Sequence, residues 1–93
     1  MSMHNPSHPG ALLAEDALPA LGISGNDLAA HLSFPPHILL DVLQARAPLN
    51  ADLAVRLELA GIGMAHNWLA MQMAFDLWQA QHRTLPVVER LVP

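Results

Sequence analysis

The sequence predicts an all-α fold of five helices. Three observations carry that prediction. Apolar residues recur at three- and four-residue intervals in each segment; Ser24 and Asn50 stand where helix N-caps belong; and prolines and glycines bound short connections between segments. The chain has 93 residues, which is one domain with a single modest core. It is 53% apolar and 13% charged, a balance that favours ordered globular structure over disorder.

Residues 1–8 read as a flexible, polar N-terminal arm, interrupted by Pro6. Pro9 suits the first turn of a helix, with Ser7 or His8 near its cap. Leu12, Leu13, Ala17 and Leu18 form its apolar stripe, and Glu15 and Asp16 point outward. Pro19 is expected to end or kink this helix, and Gly22 to close the loop that follows.

Ser24 to Arg46 reads as two short helices joined by a tight turn. The Ser24 hydroxyl can accept a hydrogen bond from the Asp27 N–H, and the Asp27 carboxylate suits the positive end of the helix. Leu28, Ala29 and Leu32 share one face. Pro35 or Pro36 starts the second helix, which turns Leu39, Val42 and Leu43 inward. Small Ala29 permits a close crossing and Phe34 plugs the turn, the arrangement of a helix-turn-helix.

An Ala-Pro-Leu connector leads to Asn50, which caps a fourth helix with Asp52 in its first turn. Leu53, Leu57 and Ala60 face inward, Leu49 can reach Ala54 as a staple, and Gly61 and Gly63 stop the helix. The fifth helix runs from Met64 or Ala65 to about His82. Trp68, Met71, Phe75 and Trp78 form one stripe, and Leu69, Met73 and Leu77 an adjoining one. That apolar arc exceeds the ~100° of a one-sided surface helix. Trp68, Met71, Met73, Phe75, Leu77 and Trp78 are therefore the candidate homodimer interface. Residues 9–82 form the expected domain, and 83–93 a tail that forms either a short helix or an added strand.

Several chemistries are excluded. Without cysteine there are no disulfides, thiolate zinc sites or cysteine nucleophiles. The six histidines lack a shared helical face: His4 and His8 fall in the arm, and His31, His37, His66 and His82 on separate elements, so no metal site is expected. Ser24 and Ser33 have no recognisable triad spacing. Gly61-Ile62-Gly63 lacks the Lys-Ser/Thr of a phosphate loop, and Glu15 and Asp16 diverge. Neither an enzyme nor a cofactor is expected. No apolar run approaches a membrane span and no leader opens the chain, so a cytoplasmic protein without a membrane partner fits. Four arginines, no lysine and eight acidic residues give a formal charge of −4. Phosphate contacts would thus fall to Arg46 and Arg56, doubled in a dimer.

The motifs resemble those of HigA-type antitoxins in the Cro/C1-like helix-turn-helix (xenobiotic-response-element) family. N-P-S-H-P-G (5–10) is similar to the family's N-P-x-H-P-G. L-G-I-S (21–24) and D-L-A-x-x-L (27–32) follow, and F-P-P-H-I-L (34–39) resembles V-P-P-N-R-I. N-A-D-L-A-V-R-L (50–57) is similar to S-A-D-x-A-L-R-L, and the run from Asn67 to Ala80 to F-W-L-N-L-Q-x-x-Y-D-L-W-x-A. The resemblance covers residues 5–82. It implies a lambda-repressor-like domain that dimerises, binds double-stranded DNA, represses its own promoter and neutralises an mRNA-cleaving toxin.

On that reading Pro36, His37, Leu40, Gln44 and Arg46 are the DNA-binding candidates. The chain departs from the family pattern on this same surface. Gly25 replaces a phosphate-holding Gln or Arg, His37-Ile38 replaces Asn-Arg, Leu40 and Asp41 stand where Ser or Glu follow, and Gln44-Ala45-Arg46-Ala47 replaces Asn-Gly-Lys-Arg. These changes remove donors from a groove-facing surface. The alternative expectation is a protein-interaction module that keeps the fold and a toxin-binding or dimerising surface while reading DNA weakly or not at all.

Overall fold

The computed structural model describes residues 5–93. Residues 1–4 of the expected N-terminal arm, His4 among them, lie outside the described residues. Five helices pack around one core, and no strand occurs among the described residues.

The first helical rod, α1, is built from three consecutive pieces: Pro9–Leu12 is α-helical, Leu13–Ala17 π-helical and Leu18–Leu21 α-helical. Pro19 lacks an N–H, and its ring crowds the carbonyl four residues back. The wider π turn, in which the Leu18 N–H reaches the Leu13 carbonyl, makes room for that ring. Pro19 therefore does not end the helix. It ends at Gly22, whose left-handed φ of 69° lets its N–H bond back to Leu18.

Helix α2 (Gly25–Leu32) opens with a reciprocal cap. The Asp27 N–H donates to Ser24 Oγ at 3.0 Å, and the Ser24 N–H donates to the Asp27 carboxylate at 3.2 Å. Helix α3 (Pro36–Leu43) has Pro35 at its cap and Pro36 in its first turn. Helix α4 (Ala51–Leu59) is capped by Asn50, whose Oδ1 accepts the Leu53 N–H at 2.9 Å. Helix α5 (Ala65–Gln81) is the longest, and its first N–H, from Ala65, donates to Glu58 Oε1 at 2.7 Å.

Leu13, Leu28, Leu39, Val42, Leu49, Leu53 and Leu57 are fully buried, joined by Leu18, Ala29, Leu32, Phe34, Ala54 and Trp68. Each buried Leu contributes about 1.5–3 kcal/mol of apolar transfer. Two small residues set the helix spacing. Ala29 has no exposed surface where α2 crosses α3. Gly10 lies so close to α3 that a Cβ there would sit 1.8 Å from the Val42 carbonyl oxygen.

Helix α5 packs on α4 and touches α1, but buries only Trp68 and Gln72. Residues 83–93 form neither the helix nor the strand expected of the tail, and every one of them is exposed. No helix of the described residues is long and apolar enough to cross a membrane.

Candidate nucleic-acid interface

The first turn of α3 stands clear of the core. Pro36, His37 and Ile38 are exposed there, and Gln44 and Arg46 are exposed just beyond its C-terminus. This end of α3 is the part of a helix-turn-helix that approaches base edges in a major groove. Four of the five predicted contacts thus lie on accessible surface at the two ends of one helix.

Leu40 does not present itself in the same way. It is half-buried, leaning across the helix-turn-helix onto the start of α2. A Cβ on Gly25 would lie 3.1 Å from Leu40 Cδ2 and 2.8 Å from Leu43 Cδ1. The two leucines fill the space that a side chain at position 25 would need. Leu40 thus contributes, with Leu43, to the contact between α2 and α3 over Gly25.

Arg46 is held in a bent loop. Its N–H donates to the Asp41 carbonyl at 2.8 Å, and its guanidinium reaches the Asp41 carboxylate at 3.1 Å. Ala45 adopts a left-handed φ of 61° to make that turn. The Arg46 and Asp41 side chains are 65% and 48% exposed, so the pair is worth only about 0.2–1 kcal/mol.

Arg56, the other arginine expected to meet phosphate, is engaged within the fold. One guanidinium nitrogen donates to the Leu32 carbonyl at 2.9 Å and the Ser33 carbonyl at 2.7 Å. Its Nε pairs with Asp52 one turn back, and the group lies 5.7 Å from the centre of the Phe34 ring. Arg56 closes the C-terminus of α2, where unpaired carbonyls and the helix dipole favour a cation. It supports the turn of the motif and is not a free phosphate contact.

Behind the Arg46 loop lies a buried polar network. The Gln72 side chain accepts the Leu49 N–H at 2.8 Å and donates to Asp76 at 2.9 Å, tying the connector to α5. His8, assigned from sequence to the arm, is 5% exposed. Its Nδ1 accepts the Gly10 N–H at 2.9 Å and so caps α1. The ring meets the Phe75 ring edge-on, centroids 4.9 Å apart. With Nδ1 an acceptor, Nε2 carries the proton of the neutral ring. Burial pushes the His8 pKa below its usual 6.5, partly offset by the Ala47 backbone and the nearby Asp76 charge.

The residues proposed for the subunit interface divide. Trp68 is buried within the protomer, its Nε1–H donating to the Ile62 carbonyl at 2.7 Å, so it is core and not available to a partner. Phe75 packs on His8, Met71 on the core, and Trp78 stacks on His82 at 3.8 Å. Met73 and Leu77 are 69% and 54% exposed.

Comparison with known proteins finds no matching family profile. The chain is 36% identical over 74 residues to Virulence-associated protein I of Dichelobacter nodosus, spanning 80% of this chain and 68% of that protein. Among solved structures it is similar to the antitoxin GraA, with 33% identity, a TM-score of 0.79 and 84% of each chain covered. It is also similar to the Pseudomonas aeruginosa antitoxin HigA, solved with the higBA promoter, at 26% identity and a TM-score of 0.73, over 89% of this chain and 99% of that one. Identity at this level along most of both chains, on the same five-helix frame, reflects common descent: the chain belongs to the HigA-type antitoxins of the Cro/C1-like helix-turn-helix family.

Proposed function

We propose that this chain is a DNA-binding antitoxin that neutralises an mRNA-cleaving toxin and represses its own promoter, acting in the cytoplasm by binding and not by catalysis. The observation that carries the reading is the exposed first turn of α3, with Gln44 and Arg46 beyond it, on a frame shared with an antitoxin solved on its promoter. A symmetric dimer would present two such helices to major grooves about 34 Å apart. Met73 and Leu77, left uncovered on α5, are the side chains best placed to join the protomers. His37 and Gln44 approach bases, with Gln44 suited to adenine, and Arg46 exchanges Asp41 for phosphate.

The electrostatics of this surface make binding weak. With Arg56 engaged internally, Arg46 is the one arginine on the motif's exposed face, and a dimer neutralises about two to four phosphates. Binding to a duplex from the region upstream of its own gene, measured across a salt series, should give a slope of about −2 to −4 in log K against log salt. Replacing His37→Asn and Ile38→Arg together should tighten it. Absence of binding even at low salt would exclude the repressor role and favour the interaction module, for which the Leu40–Gly25 packing and the self-paired Asp41–Arg46 already speak. Rescue of growth when the chain is co-expressed with the neighbouring gene's product tests the antitoxin role separately.

A further inference from the structure

One face of the domain carries neither the DNA candidates nor the exposed side chains of α5. There the C-terminal end of α1, helix α2 and the C-terminal end of α4 border two open clefts of about 250 and 270 Å³. His31 and Ala60 line both, so the two form one continuous groove. Its walls are apolar: Leu21, Ile23, Leu28 and Ile62 in one cleft, Leu32 and Leu59 in the other. Leu21 is half-exposed and Leu59 is 81% exposed, and Val55, one turn before Leu59, is exposed as well. Exposed leucines scattered singly need no explanation, whereas a cluster about a groove marks a contact surface.

The groove is held in shape without a partner. The Ile62 N–H donates to the Leu57 carbonyl at 2.8 Å, and the Ile62 carbonyl accepts the Trp68 Nε1–H at 2.7 Å. Across from it, the Ile23 N–H donates to the Leu18 carbonyl at 3.3 Å, and the capped Ser24 follows at once. A surface fixed in advance avoids the ordering cost of one that forms only on contact.

Charge selects the occupant. Asp27 lies one turn before His31 on α2, Glu58 stands beside Leu59 on α4, and both are exposed. Arg56, which also lines the groove, is committed to the Leu32 and Ser33 carbonyls and to Asp52. A second copy of this chain, at a formal charge of −4 and without lysine, brings like charge to this rim. A protein that binds and cleaves RNA must present cationic groups to a phosphate backbone, and so meets the rim with opposite charge.

We infer that this groove is the docking surface for the RNA-cleaving toxin, seating an apolar side chain of the toxin between α1, α2 and α4 while Asp27 and Glu58 face its cationic groups. The inference rests on the proposed antitoxin role. None of Pro36, His37, Gln44, Arg46, Met73 or Leu77 lines the groove, so docking there uses residues separate from those assigned to DNA and to the dimer.

The test measures binding of the full chain to the purified product of the neighbouring gene. Leu59→Ser and Leu21→Ser change exposed side chains, and circular dichroism verifies that each protein is folded. Each is expected to weaken toxin binding about tenfold, the loss typical of a side chain central to a contact, while duplex binding and sedimentation match wild type. Glu58→Gln keeps an acceptor for the Ala65 N–H but removes the charge. It should slow association at low salt and make the rate less sensitive to salt, with dissociation little changed. Leu91→Ser, in the exposed tail, is the control and should bind toxin as wild type does.

Toxin binding by wild type that Leu59→Ser and Leu21→Ser leave unchanged overturns the inference. So does loss of binding in Leu91→Ser alone, or a monomeric Leu59→Ser that still binds toxin fully, which would make the groove a contact between copies of this chain. If a variant does not fold, hydrogen exchange on wild type decides. Adding toxin must protect amides within residues 21–32 and 59–63, and protection confined to other segments refutes the assignment. A wild type that does not bind the neighbouring product at all defeats the antitoxin role and the docking surface together, a result distinct from binding that the groove variants leave intact.

Discussion

Replacing Arg56→Ala separates a structural arginine from a DNA-binding one. The change removes two charge-assisted bonds to the Leu32 and Ser33 carbonyls, the pair with Asp52 and the contact with Phe34. Bonds to a charged group are worth about 1.5–3 kcal/mol each when protected. Here the side chain is 36% exposed and water can replace it at the freed carbonyls, which reduces the two to about 1–2 kcal/mol. The surface pair with Asp52 adds about 0.3–0.5 kcal/mol, and the Phe34 face about 0.5–1 kcal/mol. A loss of about 2–3 kcal/mol lowers the melting temperature of a domain this size by roughly 10–20 °C. Arg56→Lys keeps the charge but not the two-carbonyl reach, and should lose about half as much. Thermal melts followed by circular dichroism measure this directly. At a temperature where every variant is folded, the salt slope of DNA binding should be unchanged in Arg56→Ala, yet fall by about 2 per dimer in Arg46→Ala. A melting temperature within about 2 °C of wild type, combined with a reduced salt slope, would refute the assignment and return Arg56 to the DNA surface.

Gly10→Ala should be far more damaging than its size suggests. Its Cβ would meet the Val42 carbonyl at 1.8 Å, so α1 must move off α3, and a loss of about 3 kcal/mol or more should appear in denaturant unfolding. Gln72→Leu leaves the buried Leu49 N–H without an acceptor, costing about 1–3 kcal/mol, with faster hydrogen exchange at that amide. Leu77→Asp should give a folded protein that sediments as a monomer where wild type sediments as a dimer; a monomeric wild type at high micromolar concentration would sink the dimer model. Because the folded pKa of His8 is lowered, its contribution to stability is complete above the unfolded pKa of 6.5 and is lost as pH falls below that value. Melting temperatures of wild type and His8→Asn should therefore converge on acidification.

Features decided within one turn of the chain were legible from sequence. The Ser24 and Asn50 caps act on N–H groups three residues on, so residue type and spacing suffice to find them. Long polar side chains were not legible in this way. Arg56 bonds to carbonyls 23 and 24 residues away, and Gln72 to an N–H 23 residues away. A helical pattern tells which face such a residue occupies but not what lies opposite it. The contact of Leu40 and Leu43 with Gly25 is hidden for the same reason, since it exists only once α2 and α3 are packed. Trp68 looked like an interface residue because its stripe is continuous with exposed neighbours. Gly63, folded to a φ of 71°, brings the chain against its indole, and the Ile62 carbonyl takes its N–H. Pro19 was expected to end or kink the first helix; one widened turn was enough to absorb it.

The fit of Leu40 and Leu43 over Gly25 also couples three positions under mutation. A side chain at position 25 in the present background meets two leucine methyl groups, Leu43 Cδ1 at 2.8 Å and Leu40 Cδ2 at 3.1 Å, so both leucines must turn aside to admit it. Shortening Leu43 relieves the closer contact, and shortening Leu40 the other. Substitutions among positions 25, 40 and 43 should therefore be non-additive, and a polar residue at 25 is best judged together with changes at both leucines.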